Sequence, residues 1–340
     1  MKRSLLCFAA LAAVAGTASA QSSVTVFGIL DAGVRYVKNG DRDQVLLSSG
    51  GVATSRLGFR GTEDLGGGLK AGFWLESQVN VDAGTSATKF WHRRSTVSLS
   101  GNFGEVRLGR DFSPTYRVAT ASDPFSDTGI GAIANVFSAS SINGGAYATH
   151  TRLDNSVSYF LPATLGGFYG QLTAAAGEGA SGTKLYGGLI GYKAGPLDVS
   201  AGYSETEVTD DDNVKYGALA AAYDFGMLKL MGGWSQLKYI GAKENHYNIG
   251  ALVPLGSGTV RASYVHSEGK GGAFTADGRK NEADLFAIGY VHDLSKRTAV
   301  YSNFSYIKNK GGAQFVVSGG PALNGGDKSR GLDVGIKHSF

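Results

Sequence analysis

The chain has 340 residues, with 32 basic against 28 acidic side chains, 52 glycines, 6 prolines and a mean hydropathy of −0.07. So small a positive excess excludes an electrostatic nucleic-acid footprint. No apolar run of roughly 20 residues follows the N-terminal segment, which excludes a helical membrane protein, whereas abundant Gly, Tyr and Phe suit strands that are apolar on one side.

The first predicted element is an export signal. Met1-Lys2-Arg3 is a basic head, Leu5 to Gly16 an apolar stretch, and Thr17-Ala18-Ser19-Ala20 a small-x-small cleavage site. The apolar stretch is too short for an anchor. The mature chain is expected to start at Gln21, and the single cysteine, Cys7, falls in the removed part. Loss of Lys2 and Arg3 lowers the net charge from +4 to +2.

From there the period is two. Val24, Val26, Gly28, Leu30 and Val34 share one face of the first segment, and Asp31 and Arg35 the other. Arg56 and Arg60 oppose Leu57 and Phe59, and Leu69, Ala71, Phe73 and Leu75 oppose Lys70, Gly72, Trp74 and Glu76. The alternation recurs around Leu197, Leu228, Tyr247 and Val260 and persists to the end, where Leu332, Val334, Ile336, His338 and Phe340 share a face. A soluble antiparallel sheet also alternates. Here no helical segment is left to cover the apolar faces, so a closed barrel in lipid is the consistent solution. A terminal aromatic at a membrane boundary agrees with it.

Connections alternate in length. Short turns are predicted at 63–68, 101–104, 162–167, 194–196, 224–226, 254–258 and 293–297. Longer polar segments fall at 39–52, 80–90, 111–151, 177–184, 205–213, 237–244, 267–281 and 308–328. These connections imply an all-β fold, a 16-stranded antiparallel transmembrane barrel, wide enough for an aqueous channel. The segment 111–151 is the longest, with Pro114, Pro124, a helix-like 131–140 stretch and the apolar residues Tyr116, Phe125, Ile130, Ile133, Val136 and Phe137. Loops of that length are functional or disordered. The apolar content argues for one folded into the lumen, the third loop of the long series.

Basic residues gather on the inner parity near that loop: Arg56, Arg60, Arg94 and Arg152, with Lys70 and Arg107 on neighbouring strands. Guanidinium groups stacked on one wall create a positive potential where a pore is narrow. Glu76, Asp123 and Asp127 can face them, giving a transverse field and a weak preference for anions; the bland alternative is that the arginines pair with acids or hold the loop. Arg93 and Arg110 have outward parity. No Gly-x-Ser-x-Gly elbow is present, and the histidines lack metal-ligand spacing, so no catalytic residue and no cofactor or metal is expected. Gly129-Ile130-Gly131-Ala132 lacks the last glycine of a dinucleotide loop. Asp210-Asp211-Asp212-Asn213 has the acids for a divalent cation, but a solvated loop tip is the simpler reading.

The run Ser55-Arg56-Leu57-Gly58-Phe59-Arg60-Gly61-Thr62-Glu63-Asp64-Leu65-Gly66 resembles the first hairpin of Gram-negative general porins, the betaproteobacterial kind especially. Phe103-Gly104-Glu105-Val106-Arg107-Leu108-Gly109-Arg110, Arg152-Leu153-Asp154-Asn155-Ser156 and the ending Gly335-Ile336-Lys337-His338-Ser339-Phe340 are similar to it too. The resemblance spans the mature chain. It implies a homotrimeric outer-membrane porin over 21–340, following a signal peptide at 1–20, in contact with outer-membrane lipid and lipopolysaccharide. Small hydrophilic solutes and ions would diffuse through it passively. Arg56, Arg94 and Arg152 look like the family's arginine ladder, Asp123 and Asp127 like its loop acids, and Phe340 like the signal read by the barrel-assembly machinery. Ser98 stands where the family often has glycine, and Asp123-Pro124-Phe125-Ser126-Asp127 replaces its usual Pro-Glu-Phe-Gly. Three alternatives stay open: a substrate-preferring anion channel, an outer-membrane barrel enzyme, and an adhesin or structural barrel with a plugged lumen.

Overall fold

The computed structural model describes residues 23–138, 147, 149–208, 212–272 and 280–340. The expected export signal, Gln21, and Asp210 and Asp211 of the acidic loop lie outside these residues.

The described strands form one closed antiparallel barrel. The first group is β1 (Ser23–Asn39), an interrupted β2 (Arg42–Ser49 and Arg56–Gly66), β3 (Leu69–Asn80), β4 (Arg94–Gly101), β5 (Gly104–Phe112) and β6 (Arg152–Phe160). Next come β7 (Phe168–Ala175), β8 (Lys184–Ala194), β9 (Leu197–Glu207), β10 (Asn213–Asp224) and β11 (Lys229–Tyr239). The ring is completed by β12 (Ala242–Leu255), β13 (Gly258–Lys270), β14 (Asn281–Asp293), β15 (Thr298–Lys310) and β16 (Lys328–Ser339). Each pairs with its sequence neighbour, and β1 closes the ring on β16 from Ile29↔Ser339 to Asn39↔Ser329. A two-residue ribbon, Thr85–Ser86, sits on the end of β3. The sixteen staves foreseen from the alternation are present.

The two faces separate as the period of two requires. On β16, Leu332 and Val334 are 45% and 55% exposed, while Asp333 between them is fully buried. Exposed Leu99, Leu172, Ile190, Leu219, Ile249 and Phe286 continue that apolar belt around the ring. In water such a belt would be an aggregation surface; in hydrocarbon it is the solvated face.

Two connections differ from the sequence expectation. The segment 39–52 is no long loop: β1 reverses at Gly40 and Asp41, with Gly40 at φ +56°, and β2 runs back as far as Ser49. The chain then leaves the sheet at 50–55 and rejoins it at Arg56. Likewise 237–244 is a tight turn, with Ile240 and Gly241 both at positive φ between Tyr239 and Ala242. Both are two-residue hairpin turns, in which positive φ matches the strand twist.

The long connection from β5 to β6 carries α1 (Pro114–Ala121), capped by the Ser113 hydroxyl on the Tyr116 N–H, and a 3-10 turn at Ile133–Val136. Its α-helix precedes the 131–140 stretch expected to be helix-like; within that stretch Ile133–Val136 form the 3-10 turn, and 139–140 lie outside the described residues. The connection is held by residues of the inner parity. Thr115 Oγ1 donates to Ser204 on β9 at 2.9 Å, and Asn248 of β12 donates to the Ser122 carbonyl at 2.8 Å. Phe125, Ile130 and Val136 are fully buried with Val265, Leu285 and Ile307 from β13, β14 and β15. Each such side chain contributes roughly 1.5–3 kcal/mol. The last connection, between β15 and β16, joins the same cluster through Val317 and Phe315.

Candidate functional site: a guanidinium-lined cavity inside the barrel

Strands β2 to β6 keep an inner wall that the long connection does not cover. A cavity of about 740 Å³ opens there, with Arg56, Arg93, Arg94, Arg117 and Arg152 on its lining and only Glu76, Asp111 and Asp127 as carboxylates. Five cations against three anions leave a positive excess.

Two carboxylates organise the arginines. Glu76 on β3 accepts Arg56 Nη1 at 3.3 Å, the Trp74 indole at 3.1 Å and the Arg93 Nε. Asp111, at the end of β5, takes Arg107 at 2.6 Å, Arg117 at 3.1 Å and Arg94 at 3.6 Å. Aromatic faces fix the guanidinium planes: Arg94 lies 4.5 Å over Trp74, Arg107 4.2 Å over Phe160 and Arg152 4.4 Å over Phe112. Stacking of this kind orients a delocalised cation without neutralising it. Arg152 is the extreme case. Its Nε donates to the Arg93 carbonyl at 3.0 Å, and among the described residues no carboxylate lies within 4.0 Å of it.

The loop acids divide. Asp127, at φ +51°, lines the cavity and accepts the Tyr116 hydroxyl at 2.6 Å. Burial pushes its carboxyl upward. Asp123 turns away from the arginine wall and onto its own loop, accepting the backbone N–H groups of Phe125 at 2.9 Å, Asp127 at 2.8 Å and Ile133 at 3.2 Å. Burial raises it to about 6, although these three donors favour the ionised form.

The remaining sequence candidates lie nearer the short-turn end. Arg60 stacks over Phe27 and Trp74, and with Arg107, Arg94 and Glu105 it lines a second cavity of about 370 Å³. The two cavities share Trp74 and Arg94. Lys70 is exposed opposite Ser100, and it lines neither cavity. Phe340 exchanges two backbone hydrogen bonds with Gly28, both 3.0 Å, and its ring covers that glycine.

Sequence reasoning missed Arg93, Asp111 and Arg117. Counting from β4 places Arg93 outward. It precedes the strand, so the alternation does not govern it, and its side chain turns inward onto Glu76. Arg110 does point away from this network, to Asp154 at 2.7 Å and the His92 carbonyl at 2.6 Å. A carboxylate entering the longest loop, Asp111, was a readable signal for the hub. Among the described residues no group of three His, Cys, Asp or Glu is placed to hold a metal ion.

A closed ring, apolar outside and charged inside, is the architecture of an outer-membrane channel. A family model described as Gram-negative porin matches residues 8–312. Over its full length the chain is 42% identical to outer membrane porin protein 32 of Delftia acidovorans, covering all of both chains. It is 31% identical to major outer membrane protein P.IB of Neisseria gonorrhoeae, over 95% of this chain and 98% of that one. The solved anion-selective porin from Comamonas acidovorans superposes with a TM-score of 0.84 at 41% identity, covering 94% of this chain and 100% of that structure. The chain belongs to the Gram-negative porins, and its place is the outer membrane.

Proposed function

We propose that the guanidinium-lined cavity is the narrow zone of a passive diffusion channel for small hydrophilic solutes, with a weak preference for anions. One observation carries the reading: a lining of five arginines and three carboxylates in which Arg152 is stacked and, among the described residues, has no carboxylate within 4.0 Å. Arg56, Arg94 and Arg152 form the cationic wall, Asp127 faces them from the loop, and Arg60 and Arg107 extend the wall toward the short turns. Solutes pass between that wall and the loop. The anion preference named for the Comamonas acidovorans porin agrees with this balance. The reading includes a homotrimer, contact with lipopolysaccharide, and Phe340 as the feature met by the barrel-assembly machinery, as the family resemblance implies. It includes no enzymatic step.

Reversal potentials in planar bilayers test it. Arg94→Ala and Arg152→Ala are each expected to shift selectivity toward cations, Arg152→Ala more, because that cation has no carboxylate to cancel it. Unchanged reversal potentials would remove these side chains from the narrow zone, and absence of conductance in the wild type would favour a plugged adhesin-like barrel. Saturable block by one anion would convert the general channel into a substrate-preferring one.

A further inference from the structure

Six residues of β2, 50–55, stand opposite only two of β1. The first half of β2 pairs up to Ser49↔Ala32, the second half resumes at Arg56↔Ile29, and Leu30 and Asp31 are left between them. The backbone groups of so long an excursion cannot all join the ladder, so they need other partners. Asp31 supplies them at both ends. Its carbonyl accepts the Gly50 N–H at 2.9 Å and the Ser55 hydroxyl at 3.0 Å, and its own N–H donates to Ser55 Oγ at 2.9 Å. Its side chain takes the middle: Oδ2 accepts the Val52 and Ala53 N–H groups, each at 2.8 Å.

Asp31 is fully buried, and among the described residues no cationic side chain lies within 4.0 Å of its carboxylate. A buried carboxylate without a cation is tolerated only where several donors converge on it. The third donor is the Tyr301 hydroxyl of β15, 2.6 Å from Oδ1. A Cβ at Gly51 or at Gly335 would lie 2.3 Å from that hydroxyl, so both positions stay bare where it reaches Asp31. The neighbouring inner carboxylate, Asp333, ties strands together, binding Arg35 at 3.2 Å and Asn303 at 2.7 Å. Asp31 directs its side chain to the excursion instead. The far end of the excursion reaches the cationic wall. Thr54 lines the arginine cavity, and its carbonyl accepts Arg56 Nε at 2.9 Å, while Arg56 Nη1 meets Glu76 at 3.3 Å. Two fixed acceptors aim one planar guanidinium fork, and the Thr54 carbonyl is in place because 50–55 is held off the sheet.

We propose that Asp31 is a positioning residue for the channel: with Tyr301 it clamps the excursion 50–55, which sets the Thr54 carbonyl and through it the aim of Arg56 in the narrow zone. The inference rests on the role proposed above for Arg56.

The test is the reversal potential of the full-length protein in planar bilayers, with Arg56→Ala setting the scale by its shift toward cations. Asp31→Ala is expected to shift selectivity in the same direction, by about half as much. Loss of the negative charge alone would move it toward anions, so the direction separates positioning from charge. Asp31→Asn can accept both N–H groups on its amide oxygen and donate its NH2 to the Tyr301 oxygen, and it should stay at the wild-type value or slightly to its anion side. In an Arg56→Ala background, Asp31→Ala should add no further shift toward cations, because both act through one guanidinium. Where Asp31→Ala does not assemble, Tyr301→Phe carries the same comparison with a smaller shift. Shifts that add, or a shift toward anions in Asp31→Ala, would overturn the proposal. A shift in Arg56→Ala with none in Asp31→Ala or Tyr301→Phe overturns this inference alone, whereas no shift in Arg56→Ala overturns the narrow-zone reading and this inference with it.

Discussion

The two halves of the inner wall solve opposite problems. From β2 to β6 the wall stays wet and carries arginines on Glu76 and Asp111. From β9 to β13 it is covered by the long connection, and its inward residues shrink to make room. A Cβ at Gly202 would lie 3.0 Å from Val118, at Gly233 2.2 Å from the Ser122 hydroxyl, and at Gly250 2.3 Å from Pro124. Ala218, Ala220 and Ala222 are buried on β10. The covered wall keeps a few charged groups, such as Arg261 stacked 4.4 Å over Phe125 and Glu244 accepting from Ser138, while its small side chains mark the track on which the loop lies. The loop is pushed to one side by what the sheet offers it, and the channel is what remains opposite.

That contrast can be broken from either wall. The largest effect is expected at the charged hub: Asp111→Asn leaves Arg94, Arg107 and Arg117 without their shared carboxylate, and breaking such a buried network costs about 3 kcal/mol. The thermal midpoint should fall, and reversal potentials should move further toward anions. Next comes the covered wall. Gly250→Val drives a side chain into Pro124, an overpacking worth about 1–3 kcal/mol, and should lift the loop so that single-channel conductance rises. Arg152→Ala should cost only about 1 kcal/mol, the stacking on Phe112, while altering selectivity, since among the described residues that cation donates to a backbone carbonyl and no carboxylate.

The smallest effect concerns pH. Burial holds Asp123 at about 6 in the folded loop, above its ordinary value of 3.8. The native state therefore binds the proton more tightly than the unfolded one. Loop stability from this group is greatest below about pH 4 and falls as pH rises toward 6. Hydrogen exchange at Phe125, Asp127 and Ile133, corrected for intrinsic rates, should be slower at pH 4.5 than at pH 7, and Asp123→Asn should erase the difference.

Much of this was legible in the alternation of residues. Leu332 to Phe340 and Val24 to Val34 gave the outer face because one side of each strand had to meet hydrocarbon. The inner face of β2 and β3 followed from the same count, which is how Arg56 and Glu76 were found. The method stops where the strand stops. Arg93 precedes β4, Asp111 follows a bulge at Gly109 in β5, and Arg117 sits on a helix, so none obeys that parity. The residues 39–52 look like a loop because Asp41, Arg42 and Asp43 are polar, yet Val45 and Leu47 still alternate, and Gly40-Asp41, glycine first, is a hairpin signal. The apolar content that suggested an inward third loop was also present in the last connection, as Phe315, Val316 and Val317, and there it went unread.

The kink that interrupts β2 ends against the long connection. Gly129, at φ +74°, brings its backbone so close to the Gly51 carbonyl that a Cβ would lie 2.2 Å from that oxygen. Here main chain abuts main chain, and no side chain intervenes. The meeting of loop and wall at this point is fixed by two residues without side chains, and the guanidinium groups lie elsewhere on the ring. On the proposed reading, replacing those guanidinium groups would retune what the protein admits while leaving this backbone contact in place.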